Sequence, residues 1–228
     1  MTNSPFGARL SSYGGVAIRG AMATGASQIW IVLCQLVSVI VLSRLLSPAD
    51  FGIVAMSGTA IALVGLFQSF GLTQATIQRE KIGHPELNFL FWTNTALTVS
   101  IALLVLATAP AVAWFYGRTE VEGLLTAMCL VIVIQGLGSQ HSALITRGMR
   151  FNTLALVEVG AALAGLAVSV LWALNQPTYW ALFGGALAMA LTQTVAYWFL
   201  SGWRPGWPAL CPDAASMLKF GAGLTGFN

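Results

Sequence analysis

Of the seven carboxylates in this chain, Glu158 alone falls well inside a long apolar run. In hydrocarbon a charged side chain is strongly unfavourable. A carboxylate placed there marks a proton- or cation-coupling group, a contact to cargo, or one half of an interface pair. Ala162, Gly165 and Ser169 follow Glu158 at helical spacing, making a narrow face that either admits a neighbouring helix or lines a cavity. As an interface group, Glu158 would pair with Arg147, Arg150 or Arg19, or hydrogen-bond to a helix. Uncharged polar side chains recur in the other apolar runs: Gln28, Gln35 and Ser38; Asn94 and Thr95; Gln135, Ser139, Ser142 and Thr146; Thr192, Gln193 and Tyr197. Such faces suit a hydrated cavity for a sugar-bearing cargo. They equally suit interhelical hydrogen bonds, worth roughly 0.6–2 kcal/mol each. Arg44 is placed to meet an anionic head group, to snorkel to the interface or to pair with Asp50. Substrate or coupling contacts are therefore expected among Glu158, Arg44, Gln35, Asn94, Gln135, Ser139 and Gln193.

Catalysis finds little to work with. The two histidines, His84 and His141, lie far apart in sequence and offer no metal site. His141, between Gln140 and Ser142, reads as a hydrogen-bonded packing residue more readily than as a proton relay. There is no Gly-x-Ser-x-Gly elbow, no P-loop and no paired acidic motif. The three cysteines, Cys34, Cys129 and Cys211, form no disulfide framework. No catalytic residue, metal or cofactor is expected.

The elements that position these residues follow from composition. In 228 residues, 57% are hydrophobic and only 7% charged, and the mean hydropathy is +0.80. A soluble domain carries roughly 25% charge to solvate its surface, so the chain is an all-α integral membrane protein. The ten cations are scattered, with no basic run to grip phosphates, which excludes a nucleic-acid partner. A spanning helix needs about 20 mostly apolar residues. Six such runs occur, near Ala26–Leu46, Phe51–Thr73, Phe89–Tyr116, Gly123–Ile145, Leu154–Leu174 and Tyr179–Gly202. A seventh starts near Ala215 and is cut off at Asn228. The expected organisation is an N-terminal segment over 1–18, a six-helix transmembrane lobe over 19–203, a loop over 204–214 and the start of a seventh helix over 215–228. Ser47-Pro48-Ala49-Asp50 and His84-Pro85-Glu86 read as helix starts, each with proline in the first turn and a carboxylate placed to close a capping box.

The cations orient the lobe. Arg9, Arg19, Arg79, Lys81, Arg147, Arg150, Arg204 and Lys219 fall on one side of these runs, and only Arg44 and Arg118 on the other. The positive-inside rule then puts the N-terminus in the cytoplasm. Gly-Leu followed by Ala-x-Ile-x-Arg recurs at the ends of the second and fourth runs, Gly71-Leu72 to Arg79 and Gly136-Leu137 to Arg147. Internal repetition of this kind fits a transporter; chance recurrence of small residues with an anchoring arginine fits as well.

The segment from Leu42 to Met56, Leu-Ser-Arg-Leu-Leu-Ser-Pro-Ala-Asp-Phe-Gly-Ile-Val-Ala-Met, closely resembles the first inter-helix signature of bacterial polysaccharide exporters. These are lipid-linked oligosaccharide flippases of the MOP superfamily, and the similarity is to the colanic-acid-exporter branch. Further matches follow in order at Phe70-Gly71-Leu72, Ile77-Gln78-Arg79, Phe91-Trp92-Thr93-Asn94 and Ala113-Trp114-Phe115-Tyr116. They continue at Arg147-Gly148-Met149-Arg150-Phe151, Trp180-Ala181-Leu182 and Lys219-Phe220-Gly221. The resemblance implies a transporter that moves undecaprenyl-pyrophosphate-linked sugar repeats across the bacterial inner (plasma) membrane, for exopolysaccharide or lipopolysaccharide synthesis. It further implies two lobes of six helices working by alternating access, this chain being the N-terminal one. The implied partners are a lipid-linked oligosaccharide, membrane lipid and the polysaccharide polymerase machinery. Three rivals remain. A cation-coupled drug or metabolite antiporter of the same superfamily would use Glu158 for coupling. A membrane enzyme of envelope synthesis would need an essential residue such as Glu158 or His141. An inactive remnant would need neither.

Overall fold

The computed structural model of this chain describes residues 5–68, 76 and 83–207. Six helices account for nearly all of them: α1 (Pro5–Leu45), α2 (Pro48–Gln68), α3 (His84–Tyr116), α4 (Thr119–Arg147), α5 (Phe151–Asn175) and α6 (Trp180–Leu200). No strand occurs among the described residues. The seventh run from Ala215 and the end of the second run, Ser69–Thr73, lie outside them.

Among the described residues, five helices are long and apolar enough to cross a membrane: Gly25–Leu45 within α1, then α3, α4, α5 and α6. The first matches the expected run near Ala26–Leu46, but its helix starts at Pro5. Proline suits a first helical position and no further proline occurs before Pro48, so nothing breaks the helix upstream of its apolar part. By 1.5 Å per residue, the 33 residues of α3 reach about 50 Å, well beyond a hydrocarbon core of roughly 30 Å. The helix continues through Pro110 to Tyr116.

Both punctuated starts close as their residue types dictate. Asp50 Oδ2 accepts the Ser47 N–H (3.1 Å) and the Ser47 hydroxyl, while the Asp50 N–H donates back to Ser47 Oγ (3.3 Å). Glu86 Oε2 accepts the Gly83 N–H at 2.8 Å. Asp50 also reaches across the bundle, its Oδ1 accepting the Tyr179 N–H at 3.0 Å. One carboxylate therefore fastens the starts of α2 and α6 together.

The bundle is built on α5 packed between α1 and α6, α4 packed against α3 and α6, and α2 against α3 and α4. Its main apolar core lies between α3 and α4, where Ala109, Val121, Leu124 and Leu125 are at most 1% exposed. Where α5 meets α6, side chains give way to backbone. A Cβ added at Gly165 would stand 2.9 Å from the Gly185 carbonyl oxygen, and one at Gly185 would stand 2.8 Å from that of Gly165. Small residues let membrane helices approach this closely and gain dispersion contact that lipid tails cannot supply. Large apolar side chains face outward along the helices, among them Leu103, Leu156, Leu171 and Phe199, as a lipid-facing surface requires. Arg147, Arg150 and Arg204 stand at one end of the bundle, the triple-arginine end, and Arg44 and Arg118 at the other.

Candidate functional site

The helical face that begins at Glu158 meets α1. Ser27 Oγ, on α1, donates to Glu158 Oε2 at 3.4 Å, and Ser27 is buried. Beyond this contact, away from the triple-arginine end, α1, α5 and α6 part slightly and leave a groove of about 170 Å³. Cys34, Gln35 and Ser38 line it from α1, Ala162, Gly165 and Ser169 from α5, and Gly185 and Met189 from α6. The small face of α5 thus does both things its residue types allow. Gly165 touches α6 backbone, and the same face walls a cavity. Tyr197, buried on α6, lies within electrostatic range of Glu158. Of the seven expected contacts, Gln35 lines this groove, and Glu158 lies outside its lining, one helical turn before Ala162.

Asn94 and Ser139 are also brought together, at a different place. Asn94 Nδ2 donates to Ser139 Oγ (2.7 Å) and to the Gly136 carbonyl (3.2 Å), and Ser139 Oγ donates to that carbonyl too (2.8 Å). Asn94 is buried, so this trio is an interhelical clasp between α3 and α4. Gln135, on the same helix as Ser139, is exposed, and Gln193 is half-buried. Arg44 is exposed at the end of α1. Asp50, the pairing partner expected for it, is engaged with Ser47 and Tyr179 instead.

The rest of the polar stripe on α4 turns inward on its own backbone. Ser142 Oγ donates to the Ser139 carbonyl and Thr146 Oγ1 to the Ser142 carbonyl, each at 2.9 Å. Thr95 and Thr98 do the same on α3. A hydroxyl that bonds a carbonyl three or four residues back is satisfied within its helix and needs no partner elsewhere.

At the triple-arginine end the second Ala-x-Ile-x-Arg segment reaches Thr76, the one described residue of the first. Gln140 Nε2 donates to Thr76 Oγ1 at 3.0 Å, and Arg147 Nη1 donates to the Thr76 carbonyl at 2.7 Å. Arg147 thus holds the backbone at Thr76.

Sequence reasoning placed His141 as a packing residue without finding what packs on it. His141 is fully buried, its Nδ1 hydrogen-bonded to Ser201 Oγ at 2.9 Å. Its ring lies 4.6 Å from Trp198, 5.3 Å from Trp203 and 6.1 Å from Phe91. The signal was present as two tryptophans bracketing Ser201-Gly202, yet it needs the fold to bring α3, α4 and the stretch after α6 together.

Among the described residues no three His, Cys, Asp or Glu side chains cluster to hold a metal ion. The groove offers amide and hydroxyl groups on an otherwise apolar wall, and the Glu158 carboxylate, hydrogen-bonded to the Ser27 hydroxyl, lies one helical turn away. A carboxylate can take up and release a proton or small cation, and amide and hydroxyl groups can hydrogen-bond a polyhydroxyl molecule.

A family profile described as a polysaccharide biosynthesis protein matches residues 41–228. The lipopolysaccharide biosynthesis protein WzxC of Escherichia coli (strain K12) is 28% identical over 210 residues, which cover 91% of this chain and 43% of WzxC. The succinoglycan biosynthesis transport protein ExoT of Rhizobium meliloti (strain 1021) is 27% identical over 84% of this chain and 39% of its own length. The teichuronic acid biosynthesis protein TuaB of Bacillus subtilis (strain 168) is 24% identical over 88% of this chain and 41% of its own. The chain thus spans less than half the length of these curated relatives. No solved structure matches it.

Proposed function

Because this chain belongs to the polysaccharide biosynthesis protein family, we propose that it forms one lobe of a transporter that moves lipid-linked sugar repeat units across the bacterial inner membrane. The multi-pass helical bundle supports this reading, as does the word transport in the name of one relative. The observation that carries it is the groove between α1, α5 and α6. It is a mostly apolar cleft with Gln35, Ser38 and Ser169 on its walls and the Glu158–Ser27 pair one helical turn beyond them. Such a lining accepts hydroxyls and amides of a sugar at membrane depth, where water cannot. No nucleophile, metal site or acid–base pair is needed for this work, and the reaction proposed is movement, not bond cleavage. The triple-arginine end faces the cytoplasm, in keeping with the distribution of cations, and the cycle is alternating access with a second lobe.

Glu158 has a distinct role in this scheme. As the carboxylate one helical turn from the groove, within hydrogen-bonding range of a hydroxyl on another helix, it couples proton or cation binding to the packing of α1 against α5. The same observation favours a second reading, a cation-coupled antiporter of drugs or metabolites. The test uses the full-length protein, returned as variants to a strain lacking it. Gln35→Leu and Glu158→Gln should each lower polymer output and raise the pool of lipid-linked repeats, at unchanged protein abundance. Loss of drug tolerance in Glu158→Gln, with lipid-linked sugars untouched, would overturn the sugar reading in favour of the antiporter.

A further inference from the structure

The stretch after α6 folds back onto the bundle and is gripped there in an unusual way. The chain leaves α6 at Leu200, turns at Gly202, whose φ of +68° belongs to the left-handed region, and runs irregularly through residues 203–207. At Gly206 both backbone groups are held by side chains of α3 one helical turn apart. Asn88 Oδ1 accepts the Gly206 N–H at 2.9 Å, and Trp92 Nε1 donates to the Gly206 carbonyl at 2.9 Å. Asn88 is itself aimed by its Nδ2 donating to His84 Nδ1 at 3.2 Å. A Cβ at this point would stand 2.8 Å from Asn88 Nδ2, so a larger residue here would have to push that side chain aside.

Two further holds complete the attachment. Ser201 is hydrogen-bonded to His141 on α4, and the Trp203 ring sits among His84 (5.8 Å), Phe91 (5.9 Å) and His141 (5.3 Å). Arg204 donates to the Trp198 carbonyl at the end of α6 and lies over the Trp198 ring. Docked, residues 201–207 therefore tie the start of α3, the end of α4 and the end of α6 into one unit.

The attachment is local and shallow. It consists of one half-buried indole and a few hydrogen bonds, with no secondary structure of its own. Within it, the Trp203 Nε1–H is buried and has no acceptor among the described residues, and an unmet buried N–H is unfavourable. Segments with few apolar contacts and side-chain-held backbone open well before the rest of a fold does. The left-handed glycine at 202 supplies a pivot at the root.

We propose that residues 201–207 are a releasable latch. Closed, it clamps the ends of α3, α4 and α6. Swung out about Gly202, it frees them to move relative to one another. The segment also leads directly into the chain beyond Trp207, so whatever pulls on that chain pulls on the latch. This inference rests on the helical bundle and not on the identity of the cargo.

Hydrogen–deuterium exchange of the full-length protein in lipid nanodiscs tests it without any cargo. Peptides spanning 201–207 should exchange far faster than those of α3 around Thr98. Asn88→Ala removes one hold on Gly206 and should raise that rate on the order of 10-fold. A disulfide between Asn88→Cys and Gly206→Cys, in a background with Cys34, Cys129 and Cys211 replaced, should suppress the exchange when oxidised and restore it when reduced. Exchange over 201–207 as slow as in α3, or a rate indifferent to the disulfide, would mean a fixed staple and would overturn the latch.

Discussion

The close approach of α5 and α6 at Gly165 can be tested against a control built into the same helix. A methyl group at Gly165 would stand 2.9 Å from the Gly185 carbonyl oxygen and 3.2 Å from Met189 Cβ, one of them immovable backbone. At Gly160, five residues earlier on α5 and exposed, a methyl would meet nothing within 4 Å. Both substitutions to alanine gain the same helix propensity, up to about 1 kcal/mol. Only Gly165→Ala must push the two helices apart, and overpacking of this kind costs typically 1–3 kcal/mol. The propensity gains cancel between the two variants, so their difference isolates the clash. Taking about 2 kcal/mol and roughly 2–4 °C per kcal/mol for a chain of this size, Gly165→Ala should melt ~4–8 °C below Gly160→Ala. Thermal unfolding of both in the same detergent, followed by tryptophan fluorescence, measures the gap. Equal melting temperatures would mean that the backbones do not touch at Gly165, and the groove's floor would then be placed wrongly.

Three more expectations concern single side chains. Asp50→Ala removes the acceptor for Ser47 and for the Tyr179 N–H; it should lower stability by about 1–3 kcal/mol in the same melting assay, with Ser47→Ala costing less because the Tyr179 bond survives. Met149, the only non-glycine with positive φ among the described residues (φ 54°), ends α4 with the Arg150 N–H reaching back to the Ile145 carbonyl. Met149→Gly should therefore stabilise by about 1 kcal/mol, seen as a higher melting temperature. Asn94→Leu breaks the clasp to Gly136 and Ser139 and should cost roughly 1–2 kcal/mol, while polymer output per folded molecule stays at the wild-type level.

Helix starts were legible because their signals are local: Ser47 with Asp50 and Gly83 with Glu86 bond across three residues. The narrow face of α5 was legible as well, since periodicity alone puts Glu158, Ala162, Gly165 and Ser169 in line. What lies opposite that face was not. Six apolar helices of similar composition give no sequence-level rule for pairing, so Ser27, Gly185 and Tyr197 emerge as neighbours only in the fold. Hydroxyl-rich stripes stayed ambiguous for a different reason. Ser142, Thr95 and Thr146 look like cavity lining in sequence, yet each is satisfied by its own helix. The start of α1 at Pro5 carried no apolar signal, and the grip of Asn88 on Gly206 spans 118 positions, beyond any local pattern.

We propose that the chain serves the movement of lipid-linked sugars. The most direct measurement is the amount and leaflet position of lipid-linked repeat units in a strain from which the gene has been deleted, with and without the full-length gene restored. The account predicts that these lipids build up on the cytoplasmic leaflet while polymer output falls, and that restoration reverses both. Unchanged lipid-linked sugars in the deletion strain, with polymer output intact, would contradict it.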